Sequence, residues 1–187
     1  MTSKRSRPRT RRPTADLWRT DARTLARLLA GLWLFGVGEG LLVLATLGNS
    51  PWTVLADGAS EQTGAGIGVW TIAISFLVLL AWIPLRQRPG LGTVLNAIVI
   101  GVAIAGTLRL LDEPGPLALR LALVLVAIGM VGVGSGLYLT SRLGPGPRDG
   151  LMTGLHERTG RSLRLIRTGI EVSVTVAGAL LGGTVGV

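Results

Sequence analysis

The chain has 187 residues, 48% of them hydrophobic and only 16% charged, with a mean hydropathy of +0.54; a soluble domain would carry roughly 25% charged residues. There is no cysteine, which excludes disulfides, thiolate metal sites and thiol catalysis, and with one histidine and thinly scattered carboxylates no protein-built metal site is expected. The formal charge is +9, and much of it sits at the N-terminus, where Lys4, Arg5, Arg7, Arg9, Arg11, Arg12, Arg19, Arg23 and Arg27 outnumber Asp16 and Asp21.

Residues 1–23 therefore read as a basic, disordered cytoplasmic tail beside anionic lipid rather than as a nucleic-acid arm. The twin arginines in "TRRPTADLW" do not make a signal peptide. No short apolar region with a small-residue cleavage site follows, and the apolar segment runs on into a full span.

Residues 24–187 read as a single transmembrane domain. Apolar blocks of about 20 residues match the length that crosses ~30 Å of hydrocarbon at ~1.5 Å per residue. Five spans are expected, at about Thr24–Leu47, Ile67–Leu85, Leu91–Leu111, Leu117–Ser141 and from Leu163 towards the C-terminus. Glycines are frequent within them, as at Gly36, Gly38, Gly40, Gly132, Gly134 and Gly136. In a bilayer small residues let helix backbones approach closely. The loops alternate in charge. Asp57 and Glu61 follow the first span, Arg86 and Arg88 the second, Asp112 and Glu113 the third, and Arg142, Arg148, Arg158, Arg161 and Arg164 the fourth. The positive-inside rule then places the N-terminus in the cytoplasm of a multi-pass bacterial plasma-membrane protein.

Displaced by 96 residues, the chain aligns with itself without a gap. "GVGEGL" (Gly36–Leu41) falls on "GVGSGL" (Gly132–Leu137), and "LGNSPWTVLADGASEQTG" (Leu47–Gly64) on "LGPGPRDGLMTGLHERTG" (Leu143–Gly160). Proline and polar matches at fixed register, Pro51/Pro147, Glu61/Glu157 and Thr63/Thr159, carry more weight than the Gly and Leu matches. Each unit holds three spans and a short connector, so the second copy starts from the opposite face. The expected fold is all-α, an inverted-topology repeat of three-helix units. Repeat 1 covers about residues 30–116 and repeat 2 about 126–187. The second copy stops where a sixth span is expected, which reads as a truncation.

Each connector starts with proline at a helix N1 position, Pro51 or Pro147, and ends at Gly64 or Gly160, suited to a left-handed cap. Asp149 falls in a first turn, where the helix dipole favours an anion. Two placements are open. The connector lies in the interface on an apolar face of Val54 and Leu55, or of Leu151, Met152 and Leu155. Alternatively it is partly re-entrant, with its positive N-terminus facing a polar cavity. Arg148 and Asp149 are accordingly an interfacial pair or a gating or ligand pair; Trp52 and Thr53, after Pro51, hold the matching positions in the first copy. Glu61, Glu157 and His156 read as solvated. Charges inside the spans cost roughly 2.5–3.5 kcal/mol at the centre, so Glu39 points to function or helix packing, its counterpart being Ser135. Arg167 and Glu171 form an i, i+4 pair that can neutralise itself.

At these motifs the sequence resembles the YczE-like family of bacterial integral membrane proteins, loosely related to the YitT-type proteins. The resemblance rests on "LGNSPWTVL" (Leu47–Leu55), "WIPLRQRPGLGTVLNA" (Trp82–Ala97), "LGPGPRDGLMTGL" (Leu143–Leu155), "RLIRTGIEV" (Arg164–Val172) and "LLGGTVGV" (Leu180–Val187). It implies a helical plasma-membrane protein with a further C-terminal span and no assigned biochemical role. The family's first connector begins Pro-Trp-Asp. Here Thr53 stands at the acidic position, which Asp149 keeps in the second copy.

Two functions compete: a transporter of a small molecule or ion through the repeat core, and a non-transporting accessory or scaffold protein of a biosynthetic or export complex. No catalytic constellation or phosphate loop is present in the sequence, so no enzyme and no cofactor are expected. The bilayer is the expected partner, and a homo-oligomer or other membrane partner is left open. The candidate binding residues are Glu39, Pro51, Trp52, Pro147, Arg148, Asp149, Arg167 and Glu171.

Overall fold

A computed structural model describes residues 17–186. Most of the tail expected over 1–23, with its lipid contact, lies outside the described residues. The described chain is helical, without a strand: α1 (Ala22–Ala45), α2 (Pro51–Thr63), α3 (Ile67–Leu85), α4 (Leu91–Leu110), α5 (Leu117–Thr140), α6 (Pro147–Thr159) and α7 (Leu163–Leu180).

Local chemistry sets these boundaries. The Asp21 carboxylate accepts from the Thr24 N–H at 3.4 Å, and the Ser162 hydroxyl from the Leu165 N–H at 3.3 Å, capping α1 and α7. Helices α2 and α6 both begin on proline and end on a glycine in the left-handed region, Gly64 at φ 72° and Gly160 at φ 66°. A β-carbon is disfavoured there, and the reversed chain satisfies a carbonyl of the last turn.

Four helices, α1, α3, α4 and α5, are long and apolar enough to cross a bilayer. The fifth expected span forms as α7, starting at Leu163, but its 18 residues include Arg164, Arg167 and Glu171 and fall short of that apolarity. By this criterion the expected five spans become four.

Helix α1 is the hub. On one side it packs on α5, where a β-carbon at Gly31 would lie 2.8 Å from Leu137 Cβ, and one at Gly38 2.9 Å from Val131 Cγ2. On the other it packs on α4, where a β-carbon at Gly36 would lie 2.6 Å from Ala103 Cβ. Such contacts leave no room for a side chain and bring the backbones together. Leu28, Leu32, Ile100, Ile104, Tyr138 and Leu143 fill the space between. The short helices pack within the protein: α2 on α3 and α7, α6 on α3 and α7. Gly58 and Gly178 let α2 and α7 touch through their backbones, and Gly150 lies under the Trp82 ring. Polar side chains such as Thr53, Thr71, Ser75 and Asn96 are buried, while Leu77, Leu80, Ile83, Leu125 and Leu180 lie outside. That distribution suits a hydrocarbon surround and would be a liability in water.

Candidate functional site

Helices α2 and α6 approach from opposite ends of α3. Thr63, at the end of α2, accepts from the Trp70 indole N–H at 2.7 Å, one turn into α3. Glu157, near the end of α6, accepts from the Gln87 amide at 2.9 Å, just past the other end of α3. The two N-termini meet between these ends, where the Arg148 guanidinium lies 5.0 Å from the Trp52 ring centroid. Neither N-terminus is capped by a side chain of its own N-cap residue, Ser50 or Gly146.

This meeting point forms the wall of a cavity of about 440 Å³. Glu39, Pro51, Trp52, Arg148, Asp149, Arg167 and Glu171 all line it, so every sequence-derived candidate except Pro147 faces one space. Pro147 is buried behind the lining, and its carbonyl accepts from the Trp82 indole N–H at 3.0 Å, tying the start of α6 to α3.

Each carboxylate of the wall has a partner. Glu39, only 4% exposed, accepts through Oε2 from the Thr53 hydroxyl at 2.6 Å and the Ser50 hydroxyl at 2.8 Å. It thereby anchors the start of α2 to the middle of α1, where an anion is also favoured by the helix dipole. Asp149 accepts through Oδ2 from the Tyr138 hydroxyl at 2.9 Å. Arg167 Nε donates to Glu171 Oε1 at 2.8 Å, forming the expected i, i+4 pair.

Arg148 is different. Among the described residues its guanidinium makes no hydrogen bond or ion pair within the protein; Glu39 and Asp149 act on it through space. The side chain is half-buried, and its cation–π contact with Trp52 contributes about 0.5–2 kcal/mol. Its N–H groups face the cavity, whose lining mixes these charged and hydroxyl groups with apolar side chains such as Phe35, Ile100 and Val131.

Sequence reasoning missed Ser50, Tyr138, Asn96, Thr71 and Ser75, all of which line the cavity. Neutral polar residues are cheap in a span and raise no alarm. Tyr138 carried one usable signal, being the chain's single tyrosine, set within an apolar run. Glu61, Glu157 and His156 are exposed, as the sequence suggested, and His156 Nδ1 lies 2.6 Å from the Arg161 carbonyl.

A chain whose described residues are helical, with four membrane-length helices, apolar side chains outside and polar side chains gathered on a cavity between the helices, is a multi-pass membrane protein. The chain belongs to the family of unknown function DUF6198, whose model matches residues 22–187, and is a YczE-like member of it. It is 45% identical over 179 residues to an uncharacterized protein of Haemophilus influenzae, covering 96% of this chain and 82% of that one. It is 30% identical over 159 residues to the uncharacterized membrane protein YczE of Bacillus subtilis, covering 84% and 74%. A second Bacillus subtilis protein, the uncharacterized YyaS, is 27% identical over 161 residues, covering 84% and 80%. No solved structure matches the chain.

Proposed function

We propose that the protein is a transporter of a small molecule or ion, built as an inverted repeat around the cavity, with its N-terminus in the cytoplasm and no catalytic step. The observation that carries this reading is the composition of the cavity wall. At the 96-residue displacement, Phe35 pairs with Val131, Glu39 with Ser135, Trp52 with Arg148, Thr71 with Arg167 and Ser75 with Glu171, and both members of every pair line the cavity.

The packing supports the same symmetry. The contact of α2 with α7 corresponds to that of α6 with α3, and α1 and α5 pack on one another. Gly48 lies against Gly186, and their counterparts Gly144 and Gly90 lie together. A central site between repeats, with half-length helices presenting their N-termini, is the arrangement that alternating access uses. That likeness is one of architecture alone. The charge distribution supports the proposed orientation: Arg19, Arg27 and Arg142 gather at one end of the bundle, and Asp57, Glu61, Asp112 and Glu113 at the other. Arg109 and Arg120 are exceptions at the acidic end, Arg120 being held by the Thr46 hydroxyl at 2.6 Å.

The absence of cysteine makes the test clean. Single cysteines replace Ser135 in the cavity, Glu113 at the acidic end and Arg158 at the basic end. Glu113→Cys should react with an impermeant maleimide in intact cells and Arg158→Cys only in inverted vesicles. Transport requires Ser135→Cys to react in both preparations. Reaction from one face alone removes alternating access and leaves the accessory-protein reading.

A further inference from the structure

We propose that the cavity binds a small zwitterion of the amino-acid type, its carboxylate on Arg148 and its ammonium between Glu39 and Asp149; this rests on the transport reading of the same cavity.

The wall offers both halves of such a site unfilled. On the donor side, Arg148 presents a guanidinium with five N–H groups and no acceptor among the described residues, one face covered by Trp52. It stands in the first turn of α6, opposite the start of α2, and neither start is capped by its N-cap side chain. Two such helix ends favour anions near them, a role Glu39 and Asp149 already share, so the ligand carboxylate is drawn chiefly by Arg148. On the acceptor side, Glu39 and Asp149 use only Oε2 and Oδ2 for their hydroxyl partners. Glu39 Oε1 and Asp149 Oδ1 accept no hydrogen bond among the described residues.

Charge decides between ligand classes. The lining carries three carboxylates, Glu39, Asp149 and Glu171, and two guanidiniums, Arg148 and Arg167. Arg167 and Glu171 neutralise each other, leaving two acids and one base to meet the ligand. A plain anion satisfies Arg148 but deepens the negative excess in a low-dielectric space. A plain cation satisfies the acids and abandons Arg148. A zwitterion satisfies both without adding net charge. The volume, about 440 Å³, lies at the small end of the roughly 300–1,000 Å³ of ligand pockets.

The test uses the purified full chain in lipid nanodiscs, with thermal unfolding as the readout, because a ligand of the native state raises the midpoint. The probes are small neutral α-amino acids and glycine betaine, against acetate, inorganic phosphate and methylammonium at matched ionic strength. At least one zwitterion should raise the midpoint at a concentration where none of the single-charge probes does. Arg148→Gln should abolish that shift, and Glu39→Gln should weaken the apparent affinity about tenfold. If Arg148→Gln does not fold, Arg148→Lys replaces it: charge is kept, the bidentate fork is lost, and affinity should fall about tenfold. An equal shift with acetate or phosphate, a shift with methylammonium alone, or no shift with any probe overturns the proposal.

Flux into proteoliposomes separates the two ideas. A zwitterion that stabilises the protein but does not cross leaves this site standing and removes transport. A plain ion that crosses while no zwitterion binds does the reverse.

Discussion

Helices α1 and α5 are both 24 residues long and nearly equal in apolarity, with hydropathies of 2.0 and 2.3, yet they live in different surroundings. Helix α1 buries Leu28, Gly31, Leu32, Gly36, Gly38, Glu39, Gly40, Leu41, Leu44 and Ala45; α5 buries Ala127, Gly134 and Tyr138. Gly36 and Gly40 seat α4 through Ala103 and Thr107. Their displaced counterparts, Gly132 and Gly136, have nothing within 4 Å of where a β-carbon would stand. The same small-residue spacing thus makes a helix contact in one place and an outward surface in the other. Small residues permit close approach, but the neighbour decides whether it happens.

Substitutions at matched positions sharpen this contrast, read as unfolding free energies in detergent. Gly36→Leu should have the largest effect, destabilising by about 3 kcal/mol or more because Ala103 and the Ile100 backbone occupy the space a side chain needs. Gly132→Leu, in open surroundings, should stay within about 1 kcal/mol. A comparable loss at Gly132 would mean that α5 is covered in the working protein as α1 is here.

Next comes Glu39→Ala, which removes the shared acceptor of the buried Thr53 and partly buried Ser50 hydroxyls and leaves them only their mutual contact at 3.0 Å. It should cost about 2 kcal/mol, against near zero for Ser135→Ala. Equal costs would show that Glu39 does not anchor α2. Tyr138→Phe removes one hydroxyl from Asp149 and should cost about 1 kcal/mol, with a smaller loss when Asp149 is already Asn, as a double-mutant cycle would register. The smallest effect is Gly132→Ala, which should stabilise by up to about 0.5 kcal/mol through helix propensity alone.

Much of the fold was legible because its signals are local. Ile67 and Leu85 bound α3 as the apolar run indicated, and α4 and α5 end within one residue of expectation. Pro51 and Pro147 start the short helices and Gly64 and Gly160 end them, since a fixed φ and a free left-handed φ act within one turn. The charged members of the site were legible for a related reason. Glu39, Arg167 and Glu171 stand out because charge within an apolar span is costly, and Arg148 and Asp149 because they occupy the first turn of a proline-started helix.

The placement of the short helices was not legible. An apolar face holding Val54 and Leu55 is satisfied equally by lipid or by protein, and the two alternatives leave the same mark on the sequence. The contacts that settled it join residues far apart in the chain: Gly58 with Gly178 and Gly150 with Trp82. Once α2 and α6 are drawn in, Trp52 meets Arg148, Thr53 becomes 1% exposed beside Glu39, and Tyr138 reaches Asp149.

By itself, then, the sequence determined where helices begin and end, which surfaces tolerate hydrocarbon, and which charges need an explanation. These depend on backbone dihedrals, side-chain transfer energies and dipoles acting over a few residues. Only the tertiary structure decided which of those charges share one space and that, among the described residues of the cavity wall, the Arg148 guanidinium lies on the Trp52 ring rather than on a carboxylate. Hydrogen-bond accounting closes only when every neighbour of a buried group is known, and in this chain those neighbours lie up to 127 positions apart, as where the Thr184 N–H meets Asp57.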